Sequence, residues 1–145
     1  MTPTLLGRWQ TRLLLMGIVG GPITLLFCLG LFGNDSGAIY MSILVYITLF
    51  GLGWDGVYMT VQSYRWDQDW PAAFQWLGAL WEGFFFLLIR VIFDLELPFT
   101  DVDAGFPVGW FLLHYSLVWV GIFIASQSFM RILFPRWRFQ GGQWF

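Results

Sequence analysis

The stretch that decides the fold covers residues 54–83 and reads WDGVYMTVQSYRWDQDWPAAFQWLGALWEG. It carries two acids, Asp55 and Glu82, each inside an apolar segment, and a polar hairpin at residues 65–71 separates the two segments. An acid inside an apolar helix is costly and needs a partner or a water-filled cavity. This stretch therefore predicts two membrane helices joined by a short hairpin, each with an interior acid to satisfy.

The composition of the whole chain indicates that lipid is its main solvent. Of 145 residues, 58% are hydrophobic and 11% are charged, and the mean hydropathy is +0.68. Soluble domains carry about 25% charged residues. Long apolar runs in lipid must be helices, because a lipid-exposed backbone has to satisfy its own hydrogen bonds. A closed β-barrel would need alternating segments of about ten residues, whereas the runs here are longer and do not alternate.

Four apolar runs predict an all-α membrane protein, with four transmembrane helices in one bundle that forms a single domain over residues 1–145. A spanning helix needs about 20 residues, and the predicted spans cover residues 13–32, 38–62, 71–93 and 110–130. Pro22 follows Gly20 and Gly21 and removes a backbone donor, which predicts a kink in the first span. Gly17 and Gly21 stand four residues apart, a spacing at which another helix can approach closely.

The arginines predict the orientation of the spans. All seven positive charges are arginines, and six of them belong to the head, the hairpin and the tail: Arg8, Arg12, Arg65, Arg131, Arg136 and Arg138. The turn at residues 33–37 and the acidic loop at residues 94–109 carry none. Because cytoplasmic loops are enriched in arginine, we expect both termini on the cytoplasmic side, or on the equivalent side of an internal membrane.

Ten tryptophans help to predict depths in the membrane. An aromatic belt at the inner interface is predicted from Trp9, Trp66, Trp70 and Trp137, and Trp110 is predicted at the outer interface. Deeper tryptophans are expected to pack between helices or to donate to buried acceptors; these are Trp54, Trp76, Trp81 and Trp119.

Glu82 is the costliest polar residue, because it is predicted near mid-membrane. An acid at this depth costs about 2.5–3.5 kcal/mol on insertion scales. One hypothesis is that Glu82 is an intramembrane carboxylate that exchanges protons or cations. The alternative is a neutral Glu82, since burial disfavours the charged form, hydrogen-bonded across helices to Gln75, Trp54 or a hydroxyl.

Other polar side chains are predicted at the depths that an ion relay would need. From the inner side outward they are Gln127, Gln75, Asp55, Glu82, Arg90 and His114. In a relay, Asp55 would be the inner station, and His114 or Arg90 the outer one. Alternatively, Asp55 is held by Arg65 or by water at the inner face. Arg90 alternatively extends to the outer headgroups or to Asp94, one turn further on.

His114 is the only histidine of the chain and the one candidate for holding a cofactor. As a neutral imidazole it could ligate a metal or the magnesium of a chlorophyll-type pigment, or it could relay a proton. Without a second ligand at a metal-site spacing, an ordinary hydrogen-bonded histidine is the alternative. No metal site is predicted, because the acidic stretch at residues 101–105 lacks the further oxygen ligands of a calcium loop.

The motifs WDG at 54–56, RWDQDWP at 65–71, FQ at 74–75 and EG at 82–83 resemble a pattern in small, uncharacterised integral membrane proteins of cyanobacteria. The resemblance covers the middle third of the chain. It implies four spans and a plasma or thylakoid membrane as the host. It implies no activity, and no functional residue is carried over from it.

Two functional hypotheses remain open. The first is a non-enzymatic accessory or assembly subunit, with the lipid bilayer, a larger membrane complex or further copies of itself as partners and no nucleic acid. The second is an oligomeric proton or cation channel or transporter that uses Glu82 and Asp55, since four spans are too few for the usual two-repeat transporter. A membrane enzyme with Glu82 as general base has less support, because no electrophile or metal partner accompanies that acid.

Overall fold

The computed structural model describes residues 3–33, 37–68, 70–94, 96, 106–137 and 139–143, and every regular element among them is helical. Helix α1 covers Leu5–Leu15, a π-helical turn covers Met16–Gly20, and α2 covers Gly21–Cys28. The remaining helices are α3 at Ile39–Ser63, α4 at Ala72–Ile92, α5 at Val108–Gln127 and α6 at Phe129–Leu133.

Four stretches of the described chain are helical, long and apolar enough to cross a membrane. They are Leu5–Cys28, Ile39–Ser63, Ala72–Ile92 and Val108–Leu133, and we number them as the first to fourth spans. The prediction of four helices long and apolar enough to span a membrane is therefore confirmed. The second and third spans lie within one residue of their predicted bounds at both ends.

The first span begins earlier than the predicted residue 13. The Thr4 side chain accepts a hydrogen bond from the Gly7 amide at 3.2 Å and caps the helix, which starts at Leu5. A capped start satisfies one of the free amides of the first turn. Arg8 and Arg12, predicted to lie in a head before the span, are consequently part of the helix.

The first span changes its helical geometry just before Pro22. Residues Met16–Gly20 form a π-helical turn. Turns of this kind occur where the regular hydrogen bonds of an α-helix are interrupted. The glycine that lets helices approach is Gly20, where an added Cβ would lie 3.1 Å from Leu44 Cδ1 and 3.4 Å from Val118 Cγ1. Gly17 has open space beside it, so the predicted Gly17 and Gly21 pair is not an internal contact.

The backbones of the first and third spans each pack closely against those of the second and fourth. The main apolar cluster takes residues from all four spans: Phe27, Tyr40, Ile43, Ile47, Phe86 and Phe111. The first and third spans therefore stand diagonally across the interior, and a side chain that joins them has to cross it.

The C-terminal tail (residues 134–137 and 139–143) returns to the start of α1. Trp137 Nε1 donates to Thr11 Oγ1 at 2.9 Å, and Thr11 Oγ1 donates to the Gly142 carbonyl at 3.1 Å. An added Cβ at Gly7 would lie 2.7 Å from the Gly142 carbonyl carbon, so the close approach needs a glycine there. Trp137 is only 5% exposed, so its ring packs inside the protein, and its depth near the inner interface stays a prediction.

Part of the predicted acidic loop lies outside the described residues. This applies to residues 97–105, including the stretch at 101–105 that was compared with a calcium loop. Asp94 and Glu96, which are described, are exposed, as a solvated acidic face requires. Asp69 of the hairpin and Arg138 of the tail also lie outside the described residues.

Candidate functional site

Arg12 of the first span holds both intramembrane acids. Its Nε and Nη2 donate to Asp55 Oδ2 and Oδ1 at 2.9 and 3.0 Å. Its Nη1 and Nη2 donate to Glu82 Oε2 and Oε1 at 2.8 and 2.9 Å. Bidentate pairing of this kind is among the strongest hydrogen bonding that side chains offer. We call Arg12, Asp55 and Glu82 the buried ion cluster; it links the first, second and third spans.

The buried ion cluster is largely removed from solvent. Asp55 is 3% exposed and Glu82 is 9% exposed, and the Arg12 side chain is 16% exposed. Buried charges persist only with a well-placed partner and further hydrogen bonds. Arg12 supplies that partner to both acids and spends four of its five N–H donors on them. The Tyr58 hydroxyl also interacts with Glu82, while it donates to the Gly78 carbonyl at 3.3 Å.

A glycine makes room for the Arg12 guanidinium. Gly51 lies one turn before Asp55 on α3, and an added Cβ there would lie 2.6 Å from Arg12 Cζ. Residues four apart share a helix face, so the guanidinium lies flat across Gly51 while it binds Asp55. A glycine four residues before a buried acid therefore indicates that a side chain from another helix can reach the acid across the glycine.

The partners of the two acids differ from those considered in the sequence. Arg65 does not hold Asp55; it binds Asp67 instead, with Nε and Nη2 at 3.0 and 2.8 Å from the carboxylate oxygens. Gln75 does not bind Glu82 but accepts from Gln127 Nε2 at 3.2 Å. A hydroxyl near Glu82 was expected and is present in Tyr58, but the charged partner was not foreseen.

Trp54 is likewise engaged away from Glu82. Its ring packs edge-on against Trp81, with 5.3 Å between ring centroids, and against Phe85 at 5.1 Å. This packing between the second and third spans agrees with the role predicted for the deeper tryptophans. The indole therefore contributes to helix packing rather than to the buried ion cluster.

Arg8 lies one turn before Arg12 and has a different environment. Its Nη2 donates to Gln62 Oε1 at 2.9 Å, and its Cζ lies 4.3 Å from the centroid of the Trp70 ring. Its Nε is buried and has no hydrogen-bond partner within the described part of the chain. Arg8 thus contacts a neutral amide and an aromatic face, whereas Arg12 takes both carboxylates.

A cavity of about 200 Å³ lies between the four spans and reaches the C-terminal tail. We call it the central cavity. Four of the five predicted site residues line it, namely Asp55, Gln75, Glu82 and His114, and so do both Arg8 and Arg12. The structure therefore brings most of the predicted polar residues together around one internal space.

Arg90 is the predicted site residue that does not line the central cavity. Its Nη1 lies 3.6 Å from Asp94 Oδ1, and its Cζ lies 5.7 Å from the Phe106 ring centroid. The expected contact with Asp94, one turn further on, is confirmed. Arg90 is therefore held at the far end of α4, away from the buried ion cluster.

His114 is enclosed by the first and second spans. Its Nε2 lies 2.9 Å from Thr24 Oγ1, and its ring packs edge-on against Phe27, with 5.0 Å between ring centroids. The residue is 1% exposed. Its Nδ1 is buried and has no hydrogen-bond partner among the described residues. That His114 binds a cofactor stays a prediction.

Within the described residues, no group of three or more His, Cys, Asp or Glu side chains is placed to hold a metal ion. The fold and the site together define a class: an all-helical protein with four helices suited to span a membrane and a buried cluster of one arginine and two acids. Comparison with protein-family models, with curated proteins and with solved structures finds no match.

Proposed function

We propose that this protein is a small, non-enzymatic integral membrane protein that serves as an accessory or assembly subunit, in a larger membrane complex or as a homo-oligomer. In this proposal the four spans form one bundle with both termini on the cytoplasmic side. The resemblance of residues 54–83 to small cyanobacterial membrane proteins favours a plasma or thylakoid membrane as the host.

The observation that carries the proposal is that Arg12 binds both acids. A general base has to reach the proton of a substrate directly or through one water, and each carboxylate here already accepts two bonds from a guanidinium. Breaking such a buried pair costs about 3–5 kcal/mol. The buried ion cluster is therefore suited to join three spans rather than to act on a substrate.

A groove on the lipid-facing surface supports association with another helix. It runs between the first and second spans, and its lining includes Leu13, Gly17, Val45, Thr48 and Leu49. Three of these apolar side chains, Leu13, Val45 and Leu49, are at least half exposed. Apolar exposure alone does not drive association in lipid, but a small residue in a groove allows close helix packing. Gly17 provides that small residue.

The contact between the tail and α1 supports the proposed orientation. Thr4 N donates to the Gly141 carbonyl at 2.8 Å, so the two ends of the chain share one side of the helices. Arg65 follows the end of α3, and Arg131 and Arg136 lie in and just after α6, so these arginines of the hairpin and tail lie at the ends of spans, as those of cytoplasmic segments do.

Purification in a mild detergent tests the subunit proposal when mass, absorbance spectrum and partners are measured together. We expect particles heavier than one 16.8 kDa chain, and we expect Gly17→Leu to reduce them by filling the groove. Gly109→Leu is the matched control, because Gly109 also has open space beside it but lies outside the groove. A single chain without partners, unchanged by Gly17→Leu, would exclude the proposal.

Proton or cation conduction is a second candidate, and one observation favours it. Asp55, Gln75, Glu82 and His114 line the same central cavity, as a relay would require. The fixed positive charge of Arg12 at both acids weighs against it, since a positive charge in a pore raises the barrier for cations. In liposomes, pH-driven flux that Glu82→Gln abolishes would favour conduction over the subunit role. Wild-type flux equal to that of empty liposomes would exclude it.

A further inference from the structure

Among the described residues, one arginine that lines the central cavity is bound to no carboxylate and has an N–H group without an acceptor. Arg8 Nε is buried without a hydrogen-bond partner in the described chain. We propose that the central cavity binds a small amphiphile whose anionic head, a carboxylate or a phosphate, accepts a hydrogen bond from Arg8, and whose apolar part lies among the four spans. This site is independent of the proposed subunit role, and its test can fail while that role stands.

Arg8 is held in place before any ligand arrives. Its Nη2 donates to Gln62 Oε1, while Gln62 Nε2 donates to the Gln68 carbonyl at 2.8 Å and so orients the amide. The Trp70 ring lies against the guanidinium, 4.3 Å from Cζ. A guanidinium fixed on two sides loses little further freedom on binding, which favours affinity. The buried Nε N–H without an acceptor in the described part of the chain is costly, so an anion beside the guanidinium is favoured.

The charges of the cavity select an anion over a cation. Both carboxylates are occupied by Arg12 through four hydrogen bonds, so a ligand cation would have to displace a tethered guanidinium. Arg8 has no carboxylate bound to it. An anion at Arg8 therefore meets a guanidinium whose contacts are a neutral amide and an aromatic ring.

The size and lining of the cavity indicate a short ligand. The cavity volume is about 200 Å³, somewhat larger than a cavity of about 150 Å³ that holds one benzene molecule, so a ligand of hexanoate size is suited to it. Much of the lining is apolar and includes Leu15, Leu44, Ile47 and Val118, each less than a tenth exposed. A short acyl or aryl tail fits these side chains.

Binding is measured by tryptophan fluorescence in nanodiscs of a neutral lipid, because Trp70 touches Arg8 and Trp119 lines the cavity. The probes are hexanoate, its neutral analogue 1-hexanol, and inorganic phosphate. We expect saturable binding of hexanoate, at least about tenfold tighter than that of hexanol, since hydrogen bonds to charged groups are the strong ones. Hexanol or phosphate binding as tightly as hexanoate would overturn the proposal.

Two variants test the contacts of the ligand's anionic group and of its apolar part separately. Arg8→Gln is expected to weaken hexanoate binding by about tenfold or more. Arg65→Gln is expected to leave it unchanged; Arg65 also lies over an aromatic ring, that of Phe74, but does not line the cavity. Ala79→Leu fills the cavity and leaves Arg8 intact, so it keeps the proposal testable if Arg8→Gln does not fold.

If Arg8→Gln or Ala79→Leu binds hexanoate as tightly as the wild type does, the proposal is overturned. The carboxylate or the apolar part of the ligand would then lie elsewhere. Nanodiscs with added phosphatidylglycerol distinguish the source of the anion. Competition with hexanoate would support the site with a lipid headgroup as its natural anion. Hexanoate binding without such competition would support it with a free amphiphile.

Discussion

Replacing Arg12 with glutamine tests whether the buried ion cluster stabilises the fold. The substitution leaves Asp55 and Glu82, which are 3% and 9% exposed, without a cation. Removing one partner from a buried pair costs about 3–5 kcal/mol, because the other charge stays buried and uncompensated. Two acids lose the same partner here, so we expect a loss of about 5 kcal/mol in the free energy of unfolding.

The measurement is unfolding in mixed micelles at neutral pH, followed by tryptophan fluorescence. Arg65→Gln is the reference variant, because the side chains of Arg65 and Asp67 are 34% and 28% exposed. Exposed pairs contribute about 0–1 kcal/mol. A clear separation between the two variants would assign the effect to burial rather than to the loss of an arginine as such.

A triple variant isolates the cause of the destabilisation. Arg12→Gln combined with Asp55→Asn and Glu82→Gln removes all three charges and keeps side chains of similar shape. If uncompensated charge is the reason for the loss, the triple variant is more stable than Arg12→Gln alone, because neutralising a whole buried cluster is often tolerated. Our reasoning is refuted if Arg12→Gln unfolds within about 1 kcal/mol of the wild type, or if the triple variant is no more stable than Arg12→Gln.

Two further predictions concern glycines at close contacts. We expect Gly51→Ala to destabilise the protein, because the added Cβ would meet the Arg12 guanidinium. Gly53 has open space beside it on the same helix, so Gly53→Ala should be neutral or stabilising by up to about 1 kcal/mol. Equal unfolding curves for the two variants would contradict this. Gly7→Ala should displace the C-terminal tail, because its Cβ would overlap the Gly141 carbonyl. We expect a protease to remove the tail faster than in the wild type. Equal rates would show that close contact at Gly7 is not needed to hold the tail.

Hydropathy alone predicted much of the architecture. The predicted bounds of the second and third spans agree with the observed helices to within one residue. The reason is that the thickness of the hydrocarbon sets the length of an apolar spanning helix. Gln75 and Gln127, which helical rise places toward the same inner side, are hydrogen-bonded to each other. The order of the polar residues along the membrane normal stays a prediction.

The role of Arg12 was not predicted, because arginines beside an apolar run are expected at the interface. The start of α1 at Leu5 instead puts Arg12 inside the helix, within reach of the interior. Its partners lie 43 and 70 residues further along the chain, and no local pattern specifies such distant contacts. The spacing of four residues between Gly51 and Asp55 was a sequence signal for this contact. It could indicate that a side chain approaches Asp55 there, but not which side chain.

From its sequence alone, the chain can be assigned long apolar helices suited to lipid, with two acids inside them. These properties follow from each residue's own preference for water or hydrocarbon and from its spacing along one helix. The packing of the helices sets the rest: one guanidinium binds both acids, Arg8 binds neither of them, and His114 lies against Thr24. These contacts depend on how the helices rotate and cross, which no pattern within a single helix specifies.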